Sequence, residues 1–317
     1  MNSKHQSIYC FAPSGRVIDL DTVLLGETYL KEQGFNVLNT ESSQRQYERF
    51  AGTDEQRIHE INSLSTITNN SDECIALSIR GGYGMSRLLS KIDWDGLAKA
   101  VDGGLKIVGH SDITSLNLGL FAKTGRVSYA GPMLSYDFGK SSSEISPFTA
   151  KSFFDTMATT NIHANIITRQ NWLNTNSFQC EGTLWGGNLS IINSLLSTSY
   201  FPDKSMIKNG ILFIEDINEH PYRIERLLYQ LVHAGVLQSQ QAIVFGDFSG
   251  YKLSSLDAGY DLDKCIAVIK NELNDMGSKT QILNNLPFGH CFDKLTLPIG
   301  KTVQINANFD GFELKSI

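Results

Sequence analysis

The chain has 317 residues, 41% of them apolar, with 27 lysines and arginines against 33 aspartates and glutamates, a formal net charge of −6. At roughly 150 residues per domain this amounts to about two domains with proper cores, which excludes a mini-protein held by disulfides or a metal. No basic run is present, so neither nucleic acid nor an anionic membrane surface is an expected partner, and a small molecule or peptide is.

No stretch approaches the roughly 18 uninterrupted apolar residues that span a bilayer. The first apolar run, Ile8–Ala12 before Pro13, is too short for a signal-peptide core and reads as the first β-strand of a cytoplasmic protein. Cys10, Cys74, Cys180, Cys265 and Cys291 are scattered, odd in number and lack a CxxC pair, which fits reduced core thiols better than disulfides or a zinc site. No metal or cofactor is indicated.

The first 135 residues alternate short apolar runs with helical periodicity, the pattern of a parallel sheet with crossover helices. After Ile8–Ala12, a helix is expected over Asp19–Gln33, ending at Gly34, and then a strand at Phe35–Leu38. Thr53-Asp-Glu-Gln56 is a capping-box pattern opening a helix with Ile58, Ile61, Leu64 and Ile67 on one face. Strand Cys74–Ile79 runs into Arg80-Gly-Gly-Tyr-Gly84, and strand Leu105–Val108 feeds Gly109-His-Ser-Asp-Ile-Thr114 and an apolar helix to about Ala122. Ligands of open α/β sheets bind beyond the carboxyl ends of the strands, so both loops are expected to line one site.

Residues 136–179 are rich in Ser, Thr and Asn and read as an interdomain connection with one helical stretch near Pro147–Ala158. A second α/β domain, 180–317, is expected to hold a helix at Asn188–Ser197 and a strand at Ile211–Ile214 ending in Glu215-Asp216. Helix Pro221–Ala234, strand Ala242–Phe245, a helix near Asp261–Leu273 and a β-rich tail (Thr296–Pro298, Val303–Asn306, Phe312–Lys315) complete it.

Ser111 lies between a strand and a helix with Gly109 two residues before it, the setting of a serine exposed on a sharp elbow, although Ile113 stands where a second glycine is usual. A serine there is either a nucleophile or an ordinary helix N-cap. Arg80-Gly-Gly-Tyr-Gly84 lacks both the P-loop ending and GxGxxG spacing, so it is an oxyanion site or simply a tight turn. Glu215-Asp216-Ile-Asn-Glu219-His220 resembles a metal cluster, but strand alternation puts Glu215 and Asp216 on opposite faces, so one carboxylate points into a site and at least one other is solvated. His110 adjoins Ser111 but points away from it. His290, after Pro287-Phe-Gly289, sits where a turn can aim a side chain. If Ser111, Glu215 and His290 converge, their order is that of the Ser…Glu…His hydrolases.

Arg80-Gly-Gly-Tyr-Gly84, Gly109-His-Ser-Asp112, Gly131-Pro-Met133, Glu181-Gly-Thr-Leu-Trp-Gly-Gly-Asn188, Leu212-Phe-Ile-Glu-Asp-Ile-Asn-Glu-His-Pro221 and Phe288-Gly-His290 together resemble the L,D-carboxypeptidases, closely the muramoyltetrapeptide carboxypeptidases. The likeness runs from Ala12 to about Pro298. It implies a flavodoxin-like N-terminal domain, a smaller C-terminal α/β domain and a cytoplasmic homodimer that removes terminal D-alanine from murein tetrapeptides in cell-wall recycling. It further implies Ser111 as nucleophile, Glu215 as orienting acid and His290 as base, with the amides of Gly82 and Asp112 assigned to the oxyanion. Arg80 is a candidate for the D-alanine carboxylate or a loop anchor, and Trp185 either stacks on the peptide or caps the domain interface. Two rivals stand beside this reading. One is a microcin C-type immunity peptidase that cleaves aminoacyl-nucleotide toxins with the same triad. The other is a non-catalytic ligand-binding module.

Overall fold

The computed structural model describes residues 6–67, 74–168 and 177–317, and the chain divides into two compact units, 1–160 with 292–300 and 161–291 with 301–317. The first unit is built on strands β1 (Ser7–Phe11), β2 (Asn36–Leu38), β3 (Cys74–Ser78), β4 (Leu105–Val108) and β5 (Ser128–Ala130), parallel in the order β2-β1-β3-β4-β5. That is the flavodoxin-like order, whose topological switch lies between β1 and β3. Strand β3 is buried along its whole length, as a central strand covered on both faces must be. The helices are α1 (Asp21–Glu32), α2 (Asp54–Ile67), α3 (Trp94–Asp102), α4 (Thr114–Thr124) and α5 (Pro147–Thr159). The Thr53 capping box forms as expected: Thr53 Oγ1 accepts from the Gln56 N–H and Gln56 Oε1 from the Thr53 N–H. Ile8, Cys10, Ile75, Leu77, Val108, Phe138 and Phe153 pack into one core.

The second unit carries a seven-stranded mixed sheet of β6 (His163–Ile167), β7 (Phe178–Asn188), β8 (Ile211–Ile217), β9 (Ala242–Ser249), β10 (Gln281–Leu283), β12 (Thr302–Ala307) and β13 (Gly311–Ser316), with β11 reserved in chain order for Leu297–Ile299. The order is β10-β9-β8-β7-β12-β13-β6. Strand β7 joins its two halves. Leu184–Asn188 run parallel to β8, while Phe178–Thr183 pair antiparallel with β12. Helices α6 (Leu189–Leu195), α7 (Lys204–Ile207), α8 (Pro221–His233) and α9 (Leu262–Asp275) complete the unit, α8 packing on α9.

Two expectations about organisation need correction. Residues 136–179 are not a separate connection: Leu134–Phe138 and α5 belong to the first unit and β6 to the second sheet, while 169–176 lie outside the described residues. Nor is 180–317 continuous. Strand β11, part of the expected tail, returns to the first unit and pairs antiparallel with β5, Leu297 opposite Ala130 and Ile299 opposite Ser128. Its three residues are fully apolar and buried, so they satisfy an edge that β5 would otherwise leave open. Among the described residues no helix is long and apolar enough to cross a membrane.

Candidate active site

In the first unit, β4 ends at Val108, and the next turn places Ser111 at φ 61°, a left-handed backbone that costs a non-glycine residue on the order of 1 kcal/mol or more. His110 before it is extended, and Ser111–Ile113 form a short 3-10 turn that leads directly into α4. This strand–strained-turn–helix geometry is that of an elbow, and the residue at the N-cap of α4 is Ile113 rather than Ser111. The N–H groups at the start of such a turn have no partner within it and face whatever lies at the helix N-terminus.

The glycine loop closes on this elbow. A Cβ at Gly81 would come within 2.9 Å of Ser111 Cβ and 3.4 Å of the Asp112 nitrogen, so only glycine lets the loop approach so closely. Gly82, at φ 114°, lies instead over Gly15. The Gly81–Gly82 peptide therefore borders Ser111. Asn117 Nδ2 donates to the Gly109 carbonyl at 3.1 Å and braces the loop from α4. Asp112 turns its carboxylate away into the protein, where Oδ2 accepts from the Met85 N–H at 3.0 Å; burial pushes this carboxyl above its ordinary value. Arg80 donates through Nη1 to the Arg16 carbonyl at 2.8 Å, which makes it an anchor for the loop after β1.

In the second unit, Glu215 and His290 meet. His290 Nδ1 lies 2.9 Å from Glu215 Oε2, the carboxylate side chain is 0% exposed and the imidazole 11%. A buried carboxylate at Nδ1 fixes the tautomer that keeps Nε2 as the basic nitrogen and stabilises an imidazolium. The strap before His290 is positioned by β9: the Asp247 N–H donates to the Phe288 carbonyl at 2.8 Å, and the Leu286 N–H to that of Phe245. The Phe288 ring packs edge-on against Phe213 of β8, with centroids 5.1 Å apart. Gly246 makes room for this crossing, because a Cβ there would sit 2.4 Å from the Phe288 oxygen.

The acidic run after β8 is dispersed to separate partners. A register shift between Ile214 and Asp216 lets both Glu215 and Asp216 be buried. Asp216, expected in part as solvated, accepts from Asn188 Nδ2 and from the N–H and hydroxyl of Ser190, capping α6. Glu219 pairs with Arg223 and His220 with Asp257. Trp185 also needs correction as a ligand-stacking candidate. It is 0% exposed, its Nε1 donates to Gln240 Oε1 at 2.9 Å, and its ring meets Phe201 edge-on, so it is part of the core of its unit.

Sequence inspection does not single out Lys294 or Asp137, yet both lie buried beside His110 in the first unit, Lys294 Nζ being 2.8 Å from Asp137 Oδ1 and 3.1 Å from His110 Nε2. No spacing signal marks them, because 157 residues separate the ion pair.

Residues 8–131 match the LD-carboxypeptidase N-terminal domain and residues 181–305 the LD-carboxypeptidase C-terminal domain. The chain is 31% identical over 293 residues to a probable murein peptide carboxypeptidase of Bacillus subtilis, covering 90% of this chain and 84% of that one. It is 27% identical to the microcin C7 self-immunity protein MccF of Escherichia coli, covering 90% and 85%. Among solved structures, the muramoyltetrapeptide carboxypeptidase of Oxalobacter formigenes superposes with a TM-score of 0.84 at 36% identity, covering 98% of both chains. Both domain matches, in this order and together over most of the chain, show that the chain belongs to the LD-carboxypeptidase family.

Proposed function

We propose that the protein is a serine-type carboxypeptidase that hydrolyses the L,D-peptide bond releasing terminal D-alanine from murein tetrapeptides, acting as a cytoplasmic homodimer in cell-wall recycling. The observation that carries this reading is the Glu215–His290 pair, a buried carboxylate holding an imidazole at Nδ1. Similarity to enzymes named for murein peptides supports the substrate.

In this reading Ser111 Oγ attacks the carbonyl of the L-centre of the penultimate residue while His290 Nε2 takes its proton. The amides of Gly82 and Asp112 receive the oxyanion of the tetrahedral intermediate, a role suited to an N–H at the start of a helical turn, as that of Asp112 is, and to one on a glycine loop bordering Ser111. His290 returns the proton to the amine of D-alanine, which leaves. Water then attacks the acyl-enzyme, with His290 as base again, and regenerates Ser111. Glu215 stays ionised and stabilises the imidazolium in both halves.

The test is D-alanine release from L-Ala-γ-D-Glu-meso-diaminopimelate-D-Ala by the wild type and by Ser111→Ala, side by side. Release by the wild type alone is expected. Release by both removes Ser111 from the mechanism. Release by neither, with both folded, moves the reading to aminoacyl-nucleotide substrates and then to a ligand-binding module.

A further inference from the structure

The first unit contains a buried charged chain that the proposed reaction does not use. Lys294 is 0% exposed and its ammonium lies between Asp137 Oδ1, at 2.8 Å, and His110 Nε2, at 3.1 Å. His110 Nδ1 lies 2.9 Å from the Gly131 carbonyl, and the second carboxylate oxygen of Asp137 accepts from the Met133 N–H at 2.7 Å. The Tyr136 ring covers the ammonium at 4.9 Å and meets His110 edge-on. The backbone of Lys294 is held in turn, since its N–H donates to Thr149 Oγ1 at 2.8 Å.

With the Asp137 carboxylate beside Lys294, these contacts favour one arrangement. An ammonium has only donors, so His110 Nε2 must present its lone pair. The proton is then on Nδ1, which donates to the Gly131 carbonyl. Both ring nitrogens are engaged, which prevents His110 from acting as a base for the neighbouring serine. The ring is also tied at both ends, to the segment after β5 and to the segment before β11. The next residue is Ser111, whose left-handed backbone persists only where its surroundings over-determine it.

We propose that Lys294, clamped by Asp137, holds His110 as the neutral Nδ1–H tautomer and thereby positions Ser111 on its strained elbow; His110 and Lys294 are positioning residues. This inference rests on the reading of Ser111 as nucleophile. It gives Lys294 a role in turnover although it does not touch the substrate. Removing the clamp lets the elbow relax, which lowers kcat while leaving substrate affinity in place.

Lys294→Met alone would leave Asp137 buried without its cation, so the variant to make is Lys294→Met with Asp137→Asn, which removes the pair together. Melting temperature, D-alanine release and labelling of Ser111 by a fluorophosphonate are measured on the full chain, together with nitrogen-15 NMR of the His110 ring in the wild type. The expected results are a protonated Nδ1 and bare Nε2 in the wild type, and in the variant a melting temperature within a few degrees. The variant's kcat should fall about tenfold or more, its KM stay within about twofold, and Ser111 label more slowly in proportion. A protonated Nε2 in the wild type overturns the inference, as does a variant with wild-type kcat and labelling. A wild type that neither releases D-alanine nor is labelled at Ser111 overturns the nucleophile reading and this inference with it, whereas an active wild type beside an equally active variant overturns the inference alone.

Discussion

His290 Nδ1 engages one oxygen of the Glu215 carboxylate at 2.9 Å, while the other oxygen, Oε1, is buried without a hydrogen-bond partner among the described residues. An ionised carboxylate so placed is costly unless a cation forms beside it, and in the proposed mechanism that cation is the His290 imidazolium. Glu215→Gln keeps an acceptor for Nδ1 but removes the charge and places an amide where Oε1 has no partner. It should lower kcat by about 10²–10⁴-fold, and His290→Ala by about 10⁴-fold or more, with both proteins folded. Steady-state D-alanine release checks both, and a Gln variant within threefold of wild type would show that the charge is not used.

The strap that aims His290 depends on a close crossing at Gly246. Gly246→Ala introduces a Cβ that would sit 2.4 Å from the Phe288 oxygen, and backbone on both sides prevents an easy escape. The strap must move by several tenths of an ångström, which shifts the imidazole. We expect kcat to fall at least tenfold with a modest loss of stability, about 1–3 kcal/mol. Unaltered turnover in this variant would mean that the strap's position does not set the reaction geometry.

The burial of Trp185 makes a contrasting prediction. Trp185→Phe removes the donor to Gln240 Oε1 and leaves that acceptor buried. The cost should be about 1–3 kcal/mol of stability, with KM for the peptide unchanged. A KM raised tenfold by this variant, at unaltered melting temperature, would return Trp185 to the ligand.

These residues also show where sequence reading succeeds and fails. Strands β1 to β4, the elbow at Ser111 and the pairing candidates Glu215 and His290 are legible because apolar runs of fixed period end in small polar loops. Strand β7 is not, since Glu181, Gly182, Gly186 and Gly187 give it the composition of a turn, although it is the central joint of its sheet. Gly186 answers to the close approach of β8, where a Cβ would sit 1.8 Å from the Phe213 oxygen, and Gly182 to that of Asn209 and Gly210 just before it, contacts that local propensity does not encode. Strand β11 is recognisable as a strand, but its partner β5 lies well over a hundred residues earlier. The charged chain around His110 is hidden for the same reason: Asp137 and Lys294 meet through that return segment, and either one alone reads as a surface charge.

Asp112 gives a prediction in pH. Burial pushes its carboxyl above the ordinary aspartate value of about 3.9, against the smaller opposing effects of the Met85 N–H and Arg57. A folded-state value raised in this way favours folding while the group is protonated. That contribution is fully present below the ordinary value and is lost as pH rises through the raised one. Above the ordinary value the burial of this carboxyl therefore weakens the first unit, and Asp112→Asn, which keeps an acceptor for the Met85 N–H and the backbone amide assigned to the oxyanion, should be relieved of that penalty. The melting temperature of the variant relative to wild type should rise by a few degrees between about pH 4 and pH 7.5. A difference that stays constant across that interval, or shrinks, would show that the Asp112 charge is as well accommodated in the fold as in water, and would assign the burial around it to packing alone.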